Sequence, residues 1–150
     1  MTVRRNDSSV EIDRPVDEVW AFVTELVRWP DWRTTITSID PPASLTVGEG
    51  FSGTTHIIGR TWHWQLELTV VEPNVRLAYD VVKGVAKPTV EYHLEPLGDR
   101  CRFTMIGTIE RMGVLGRILA PVAIPALRRE SATHVQNLKR ILEHEDGLDR

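Results

Sequence analysis

The sequence predicts an α+β fold in which a meander of antiparallel strands precedes one long C-terminal helix. Residues 60–70 alternate polar and apolar side chains, the period of a strand with one buried face, and they place Trp62 and Trp64 on that face. From residue 36 onward, prolines and glycines separate further short alternating segments, which is typical of strands joined by tight turns. Residues 113–145 combine helix formers with apolar residues at helical spacing, which predicts the final helix.

The N-terminal third predicts one strand followed by two short helices. The strand ends near Ile12, and residues 13–15 predict a helix start, because proline is tolerated in the first helical turn. The helix continues to about Glu25 with one apolar face, formed by Val16, Val19, Trp20 and Val23. Pro30 disfavours a helical conformation at the residue before it, so residues 26–32 predict a separate, broken helical turn.

The remaining strands and the last helix complete the predicted order. Six strands are expected near residues 36–40, 50–58, 60–72, 75–83, 88–95 and 100–110, which gives a sheet of seven strands in all. In the final helix we expect Pro121 and Pro125 to interrupt the first half, because proline lacks the N–H that the helical ladder needs.

Composition limits the classes of function. A chain of 150 residues is expected to form one domain spanning residues 1–150. Eighteen basic and 21 acidic residues give a net charge of −3, and the basic residues are mostly dispersed, which argues against nucleic-acid binding. We find no secretory signal pattern and no apolar run of about 20 residues, and so expect a cytoplasmic protein without stable membrane insertion. The single cysteine, Cys101, excludes an internal disulfide.

Four segments resemble the START-like superfamily, also called SRPBCC. Residues 15–20, Pro-Val-Asp-Glu-Val-Trp, and residues 29–32, Trp-Pro-Asp-Trp, are similar to the first helix and the following turn of that superfamily. Residues 68–77 resemble its strand-to-proline turn, and residues 137–143 resemble its last helical turns. The resemblance covers nearly the whole chain and is closest in the polyketide cyclase/dehydrase-like branch.

The resemblance implies a helix-grip fold with an internal cavity. In this fold a seven-stranded, bent antiparallel sheet wraps around the long C-terminal helix, and two short helices follow the first strand. Trp29 and Trp32 would form a lid over the cavity between the sheet and the helix. The other expected ligand-binding residues are Trp62, Trp64, Leu66, Leu68, Tyr79, Tyr92, Phe103 and Met105 on strands, and Leu127, Ser131 and His134 on the helix.

Few residues are candidates for chemistry. His134 is the best placed, since a titratable ring on the cavity side of the helix can exchange protons, and Tyr92 is a second weak candidate for a catalytic role. Arg33 and Arg60 are alternatives for bringing charge to the cavity mouth, where they would bind a ligand carboxylate or phenolate, or they lie along the surface. Alternation places the side chains of His56, His63, Glu91 and His93 on the outer face. No metal-binding spacing occurs, and no cofactor is expected.

Residues 114–127 form an apolar stretch with two prolines and Arg117. We expect this stretch to pack over one cavity mouth, and transient docking on a membrane during lipid transfer is the alternative.

Three functions remain open at this level. The first is binding of a hydrophobic small molecule, such as a lipid, an isoprenoid or an aromatic or polyketide-like metabolite, in the internal cavity. The second is a polyketide cyclase/aromatase or a dehydratase-type enzyme that uses the same cavity. The third is an interaction module with a filled core. Leucines at positions 66 and 68, where aromatase/cyclase relatives tend to carry polar side chains, favour the first hypothesis.

Overall fold

The computed structural model describes residues 4–57, 59–83, 87–109 and 114–148. Seven strands, two short helices, one short 3₁₀ turn (Leu26–Arg28) and one long helix follow each other along the chain. Their bounds are β1 Arg4–Ile12, α1 Val16–Val23, α2 Trp29–Trp32, β2 Ile36–Asp40, β3 Gly50–Ile57, β4 Arg60–Glu72, β5 Arg76–Lys83, β6 Thr89–Leu97, β7 Arg100–Ile109 and α3 Val114–Leu148. The order of elements is the one that the sequence predicts, and the strand bounds agree within two residues where the ends are described.

The seven strands form one antiparallel sheet in the order β1-β7-β6-β5-β4-β3-β2. Strands β2 to β7 pair with their neighbours in the chain, whereas β1 pairs with β7 over its whole length, from Arg4 opposite Ile109 to Ile12 opposite Cys101. The first strand of the chain is therefore paired with the last one, and β1 and β2 form the two edges of the sheet. This is the curled sheet of the helix-grip fold, and the predicted α+β class is confirmed.

Two irregularities in the β4–β5 ladder change which side chains face inward. Leu68 lies opposite Tyr79 and Val70 lies opposite Ala78, so Thr69 is an extra residue on β4. Such a bulge bends the strand and shifts its alternation by one residue. Val71 and Leu77 beyond it again lie opposite each other, and Leu77 is fully buried. A second register shift lies between Gln65 and Leu66.

The C-terminal half of α3 packs against β1, an edge strand of the sheet. Val135, Leu138 and Leu142 are buried and spaced three and four residues apart, so they form one apolar stripe. Polar contacts fix the same half of the helix: Lys139 Nζ donates to the carbonyl of Glu11 at 2.7 Å, and the backbone N–H of Asp13 donates to Glu143 Oε2 at 2.8 Å. The first strand is thus attached to α3 at its C-terminal end.

The expected interruption of α3 by its two prolines is not observed. The helix runs from Val114 to Leu148 and contains both Pro121 and Pro125. Each proline removes one helical hydrogen bond without ending the helix. The two prolines are four residues apart and exposed, so the carbonyls that lose a donor, those of residues 117 and 121, lie on a solvent-facing side of the helix.

Candidate functional site

The Trp-Pro-Asp-Trp turn fixes the position of Arg33. Trp29 is fully buried and its Nε1 donates to the carbonyl of Val23 at 2.9 Å, which attaches α2 to the end of α1. The backbone N–H of Arg33 donates to the Trp29 carbonyl at 2.7 Å and closes the single turn of α2. The Arg33 guanidinium carbon lies 5.4 Å from the centre of the Trp29 ring, within the range of a cation–π contact. The turn therefore directs Arg33 into the fold.

Inside the fold, Arg33 meets two tyrosines on neighbouring strands. Its Nη1 donates to the hydroxyl oxygens of Tyr79 on β5, at 2.5 Å, and of Tyr92 on β6, at 2.9 Å. The two hydroxyl oxygens are 3.4 Å apart, which is long for a hydrogen bond between hydroxyl groups. Both tyrosines are buried. One guanidinium nitrogen thus bridges two phenols on the inner face of the sheet.

Aromatic rings surround this polar group. Trp29 lies 5.3 Å from Tyr79 and 5.7 Å from Tyr92, measured between ring centres. Trp32 packs edge-on against Tyr92 at 5.6 Å and against Phe103 at 5.9 Å. Trp29 and Trp32 were expected as a lid, but both are fully buried. The reason is that the curled sheet closes over the short helix that carries them, so they belong to the core beneath Arg33.

Helix α3 contributes His134 and Glu130 to the same region. His134 is 2% exposed, and its Nε2 lies 3.7 Å from Glu130 Oε1, one helical turn away. Glu130 Oε1 accepts a hydrogen bond of 2.6 Å from Thr35 Oγ1, just before β2. This bond joins the segment that carries Arg33 to α3.

Burial and charge set the protonation states. Burial, reinforced by the positive charge of Arg33, lowers the pKa of His134 to about 3, so the ring is neutral at neutral pH and its approach to Glu130 is not an ion pair. Burial raises the pKa of Tyr92 well above its ordinary value, so its hydroxyl keeps its proton. Burial alone would lower the pKa of Arg33, but the two phenol oxygens hold that pKa above its usual range. The site combines the fixed positive charge of Arg33 with a protonated Tyr92 and a neutral His134.

Several polar atoms of this region have no hydrogen-bond partner within the part of the chain that the structure describes. They are Arg33 Nε, Trp32 Nε1 and both ring nitrogens of His134. Buried polar groups are nearly always paired in proteins, so unpaired ones indicate a bound molecule or a functional constraint. Arg33 as a whole keeps some accessible surface. The unpaired groups therefore lie around a residue that is only partly exposed.

The inner face of β4 carries apolar side chains that extend from the Arg33 region and become less buried along the strand. Trp62, Trp64, Leu66 and Leu68 share that face; the two leucines are buried, whereas the two tryptophans are only half-buried. The Trp64 indole lies over Gly53, its partner on β3, where an added Cβ would come within 2.5 Å of the ring. Trp64 Nε1 donates to Thr55 Oγ1 at 2.8 Å. Along the inner face of β4, the side chain of Leu68 is thus fully covered, whereas that of Trp62 is partly exposed.

Phe51 connects the two regions. Its ring centre lies 6.4 Å from that of Trp64 and 6.1 Å from that of Tyr79, which binds Arg33. Phe51 and Tyr79 are buried, so these rings form a continuous packed aromatic cluster that runs from the half-buried Trp64 to the Arg33 guanidinium.

The other expected binding residues lie in different surroundings. Phe103 and Met105 on β7 are buried and face the interior. Ser131 is half-buried, and its Oγ accepts from Asn6 Nδ2 of β1 at 3.1 Å. The side chain of Leu127 lies outside the described part of the structure. The structure brings Tyr79, Tyr92 and His134 together around Arg33 but directs the Ser131 hydroxyl towards β1.

The residues expected on the outer face lie there. His56 and His63 are exposed, and His93 Nε2 is 3.1 Å from Glu91 Oε1, the neighbouring pair that alternation predicts. The structure also has two open grooves, of about 580 and 660 Å³. The first is lined by His63 and Gln65 of the outer face together with Trp64. The second is lined by His93 and Arg102 together with Leu94 and with Val16 of α1. Neither groove is the expected space between sheet and helix.

Metal binding and membrane spanning have no support in the described residues. Among those residues, no group of three or more His, Cys, Asp or Glu side chains is placed to hold a metal ion. Nor does any described helix have the length and hydropathy needed to cross a membrane. On α3, the side chains of Val114, Ile118 and Val122 are exposed, so these three do not cover the sheet.

Two residues of the site, Thr35 and Glu130, escape a motif search, and the sequence does not reveal the partners of a third, Arg33. Arg33 is a candidate from its place after the tryptophan turn, but its partners lie 46 and 59 residues further along the chain. Thr35 and Glu130 carry no motif. The one local signal is the four-residue spacing of Glu130 and His134, which places both on one helix face.

The fold and the site define a helix-grip protein with an aromatic inner face and a polar group at its centre. Residues 4–143 match the family model described as polyketide cyclase/dehydrase and lipid transport. The chain belongs to this family. No curated protein sequence matches the chain.

Solved structures with the same fold share little sequence with the chain. TTHA0849 from Thermus thermophilus has a TM-score of 0.78 at 14% identity, covering 94% of this chain and 99% of that one. The ZhuI aromatase/cyclase from Streptomyces sp. R1128 has a TM-score of 0.70 at 14% identity, covering 93% and 96%. A START superfamily protein from Mycobacterium smegmatis has a TM-score of 0.64 at 15% identity, covering 89% and 98%. At these identities the likeness extends to the fold alone.

Proposed function

We propose that the chain binds a hydrophobic small molecule on the inner face of its sheet, between β3, β4 and α3. The ligand is an apolar compound of the lipid, isoprenoid or aromatic and polyketide-like class. The apolar lining of the inner face, with a few polar points, is the usual composition of such sites.

One observation carries this proposal: the half-buried indoles of Trp62 and Trp64 on an otherwise buried strand face. A tryptophan side chain can bury about 150–250 Å² of surface. The rings of Trp62 and Trp64 are only partly buried, so covering them with a ligand would remove further apolar surface from water. On a concave face, a ligand of matching shape would cover both rings. Phe51 extends the same surface towards Tyr79.

The test is a titration of ¹⁵N-labelled protein with the neutral probe 2-naphthalenemethanol, followed by NMR of the five indole N–H groups. Bound naphthalene rings shift nearby resonances strongly, so the Trp62 and Trp64 signals should shift with saturation. The signal of Trp20, on α1, should remain in place. Saturable shifts at Trp20 alone, or no saturable shift at any indole, would contradict the proposal.

A pair of variants links the shifts to the surface. Trp64→Leu removes ring area from the inner face and should weaken binding about tenfold or more, whereas Trp20→Leu should leave the affinity unchanged. Both variants keep an apolar side chain, and their folds can be compared by the same spectra. Equal affinities for the two variants would show that the probe binds elsewhere.

The second candidate function is a polyketide cyclase/aromatase or a dehydratase-type enzyme at the same site. The buried, protonated Tyr92 and the unpaired ring of His134 favour it, because both can form hydrogen bonds to a reacting oxygen. The lowered pKa of His134 argues against this ring as a general base near neutral pH. Incubation with a poly-β-keto thioester, with Tyr92→Phe as the variant, tests this candidate. A cyclised product whose rate falls about 100-fold in the variant would support it, whereas unchanged thioester would not.

A further inference from the structure

We propose that the bound molecule carries one negatively charged oxygen group and that Arg33 binds this group. The inference deepens the proposed function and rests on it, since it assigns the chemical class of the ligand. The partner chemistry is an apolar acid: a carboxylate, or a phenol or enol that loses its proton beside the guanidinium.

The first argument is a buried charge without a counter-ion. Arg33 Nη1 is held by two tyrosine hydroxyls, and no carboxylate of the described residues lies at ion-pair distance from the guanidinium. Isolating a charge from water is costly unless an opposite charge or several hydrogen bonds compensate. An anionic ligand supplies that compensation when it binds.

Glu130 is an acidic side chain of α3 near Arg33, but its contacts are with Thr35 and His134. Its Oε1 accepts from Thr35 at 2.6 Å and lies 3.7 Å from His134 Nε2. Burial lowers the pKa of Arg33, and Tyr79 and Tyr92 raise it above its usual range. The charge of Glu130 is not among the causes of this shift. The positive charge is therefore left for an external partner.

The second argument is an excess of hydrogen-bond donors. The Tyr79 and Tyr92 oxygens already accept from Arg33, which leaves their protons available, and the 3.4 Å between them is too long for a strong mutual bond. Arg33 Nε and Trp32 Nε1 are buried donors without an acceptor among the described residues. Anionic oxygens accept several hydrogen bonds at once, and they bind more strongly to charged donors than neutral oxygens do.

The third argument is the apolar surface beside the charge. The guanidinium lies over Trp29, and Tyr79 connects through Phe51 to the Trp64 ring. Of these rings only that of Trp64 is partly exposed, and a small inorganic anion would leave it uncovered. A molecule with an aromatic or aliphatic body and one acidic group covers that ring and neutralises the charge.

Three naphthalene probes of equal ring size separate these contributions. They are 2-naphthoate, 2-naphthol and 2-naphthalenemethanol, titrated at constant ionic strength and followed by calorimetry. A charge-assisted hydrogen bond is worth about 1.5–3 kcal/mol, which is about 10- to 150-fold in affinity. We expect 2-naphthoate to bind the wild-type chain tighter than 2-naphthalenemethanol by such a factor. The absorption band of naphtholate reports whether 2-naphthol binds as its anion, which distinguishes the carboxylate from the phenol or enol as the natural group.

Variants of Arg33 assign the preference to this side chain. Arg33→Met keeps much of the length and apolar area without the charge, and should abolish the preference for the acid while keeping affinity for the alcohol. Arg33→Lys should retain much of the preference. Arg28→Met is the matched control, because Arg28 also stacks on an aromatic ring, that of Phe22, but forms an exposed pair with Asp31. It should behave as wild type.

Each outcome decides one of the two proposals. Tighter binding of 2-naphthoate that is lost in Arg33→Met supports the inference. Equal affinity for acid and alcohol, or equal loss of both in Arg33→Met, overturns the inference while the proposed function stands. Failure of every probe to bind overturns both. Arg33→Met removes a buried charge but also the two hydrogen bonds to Tyr79 and Tyr92, so its thermal midpoint is measured first and the titrations are run well below it.

Discussion

His134 should make the protein less stable in mild acid, and the size of the effect follows from its burial. The ring is 2% exposed and its pKa is lowered to about 3, from an ordinary value of about 6.5. Below pH 6.5 the unfolded chain binds a proton that the folded chain does not bind. Stability is therefore lost as the pH falls from 6.5 towards 3, at about 1.4 kcal/mol for each pH unit.

The replacement of His134 by leucine removes this contribution. Two pH units below 6.5, at pH 4.5, the wild type should lose about 2–3 kcal/mol more of its unfolding free energy, relative to pH 7, than His134→Leu loses. Urea unfolding at both pH values, followed by tryptophan fluorescence, gives the four free energies. Carboxylates with lowered pKa values, such as those of Asp7 and Glu143, also make the folded protein less stable in acid. This loss is the same in the wild type and in His134→Leu, so it cancels in the difference between them.

Equal losses in the wild type and in His134→Leu would refute the reasoning. That result would mean that the His134 ring is solvated in the folded protein or takes up a proton without cost. At pH 7 the leucine variant should be at least as stable as the wild type, because neither ring nitrogen has a hydrogen-bond partner among the described residues.

Three further substitutions test the packing around the site. Gly53→Ala places a Cβ within 2.5 Å of the Trp64 ring and should cost about 1–3 kcal/mol of unfolding free energy, with a shift in tryptophan emission. The control Gly50→Ala, where the added Cβ makes only ordinary contacts, should cost little. Leu68→Ala at a fully buried position should cost about 2–5 kcal/mol in the same denaturation assay. Thr35→Val removes the hydrogen bond to α3 and should cost about 1 kcal/mol, and no loss would show that this bond does not hold the helix.

The fold was predictable because its signals are local. The alternation along residues 60–70 assigned β4 and its inward face, since the period of a strand depends only on neighbouring residues. The bulge at Thr69 was not predictable, because it depends on the register against β5. The prolines of α3 were misleading because a proline weakens a helix locally, while the rest of the helix is held by tertiary contacts.

The site was predictable only in part, because its contacts span the chain. Alternation placed Tyr92 on the inner face, whereas the strand of Tyr79 has no clear polar side and an inward Tyr79 was only the favoured choice. No pattern shows that one arginine bridges both hydroxyls. Trp29 and Trp32 carry the turn motif, yet whether they cover a cavity or fill the core depends on how far the sheet curls over them. Burial of Arg33 is likewise a tertiary property, and a long charged side chain can equally extend along a surface.

The most direct test of a ligand on the inner face is an isotope-filtered NOE spectrum of the labelled protein with 2-naphthoate bound. We expect contacts from the naphthalene protons to the indole of Trp64 and to the side chains of Phe51 and Met105, which line the inner face. Contacts to Val114 or Ile118 alone, on the exposed side of α3, would contradict the account, because the probe would then lie outside the sheet.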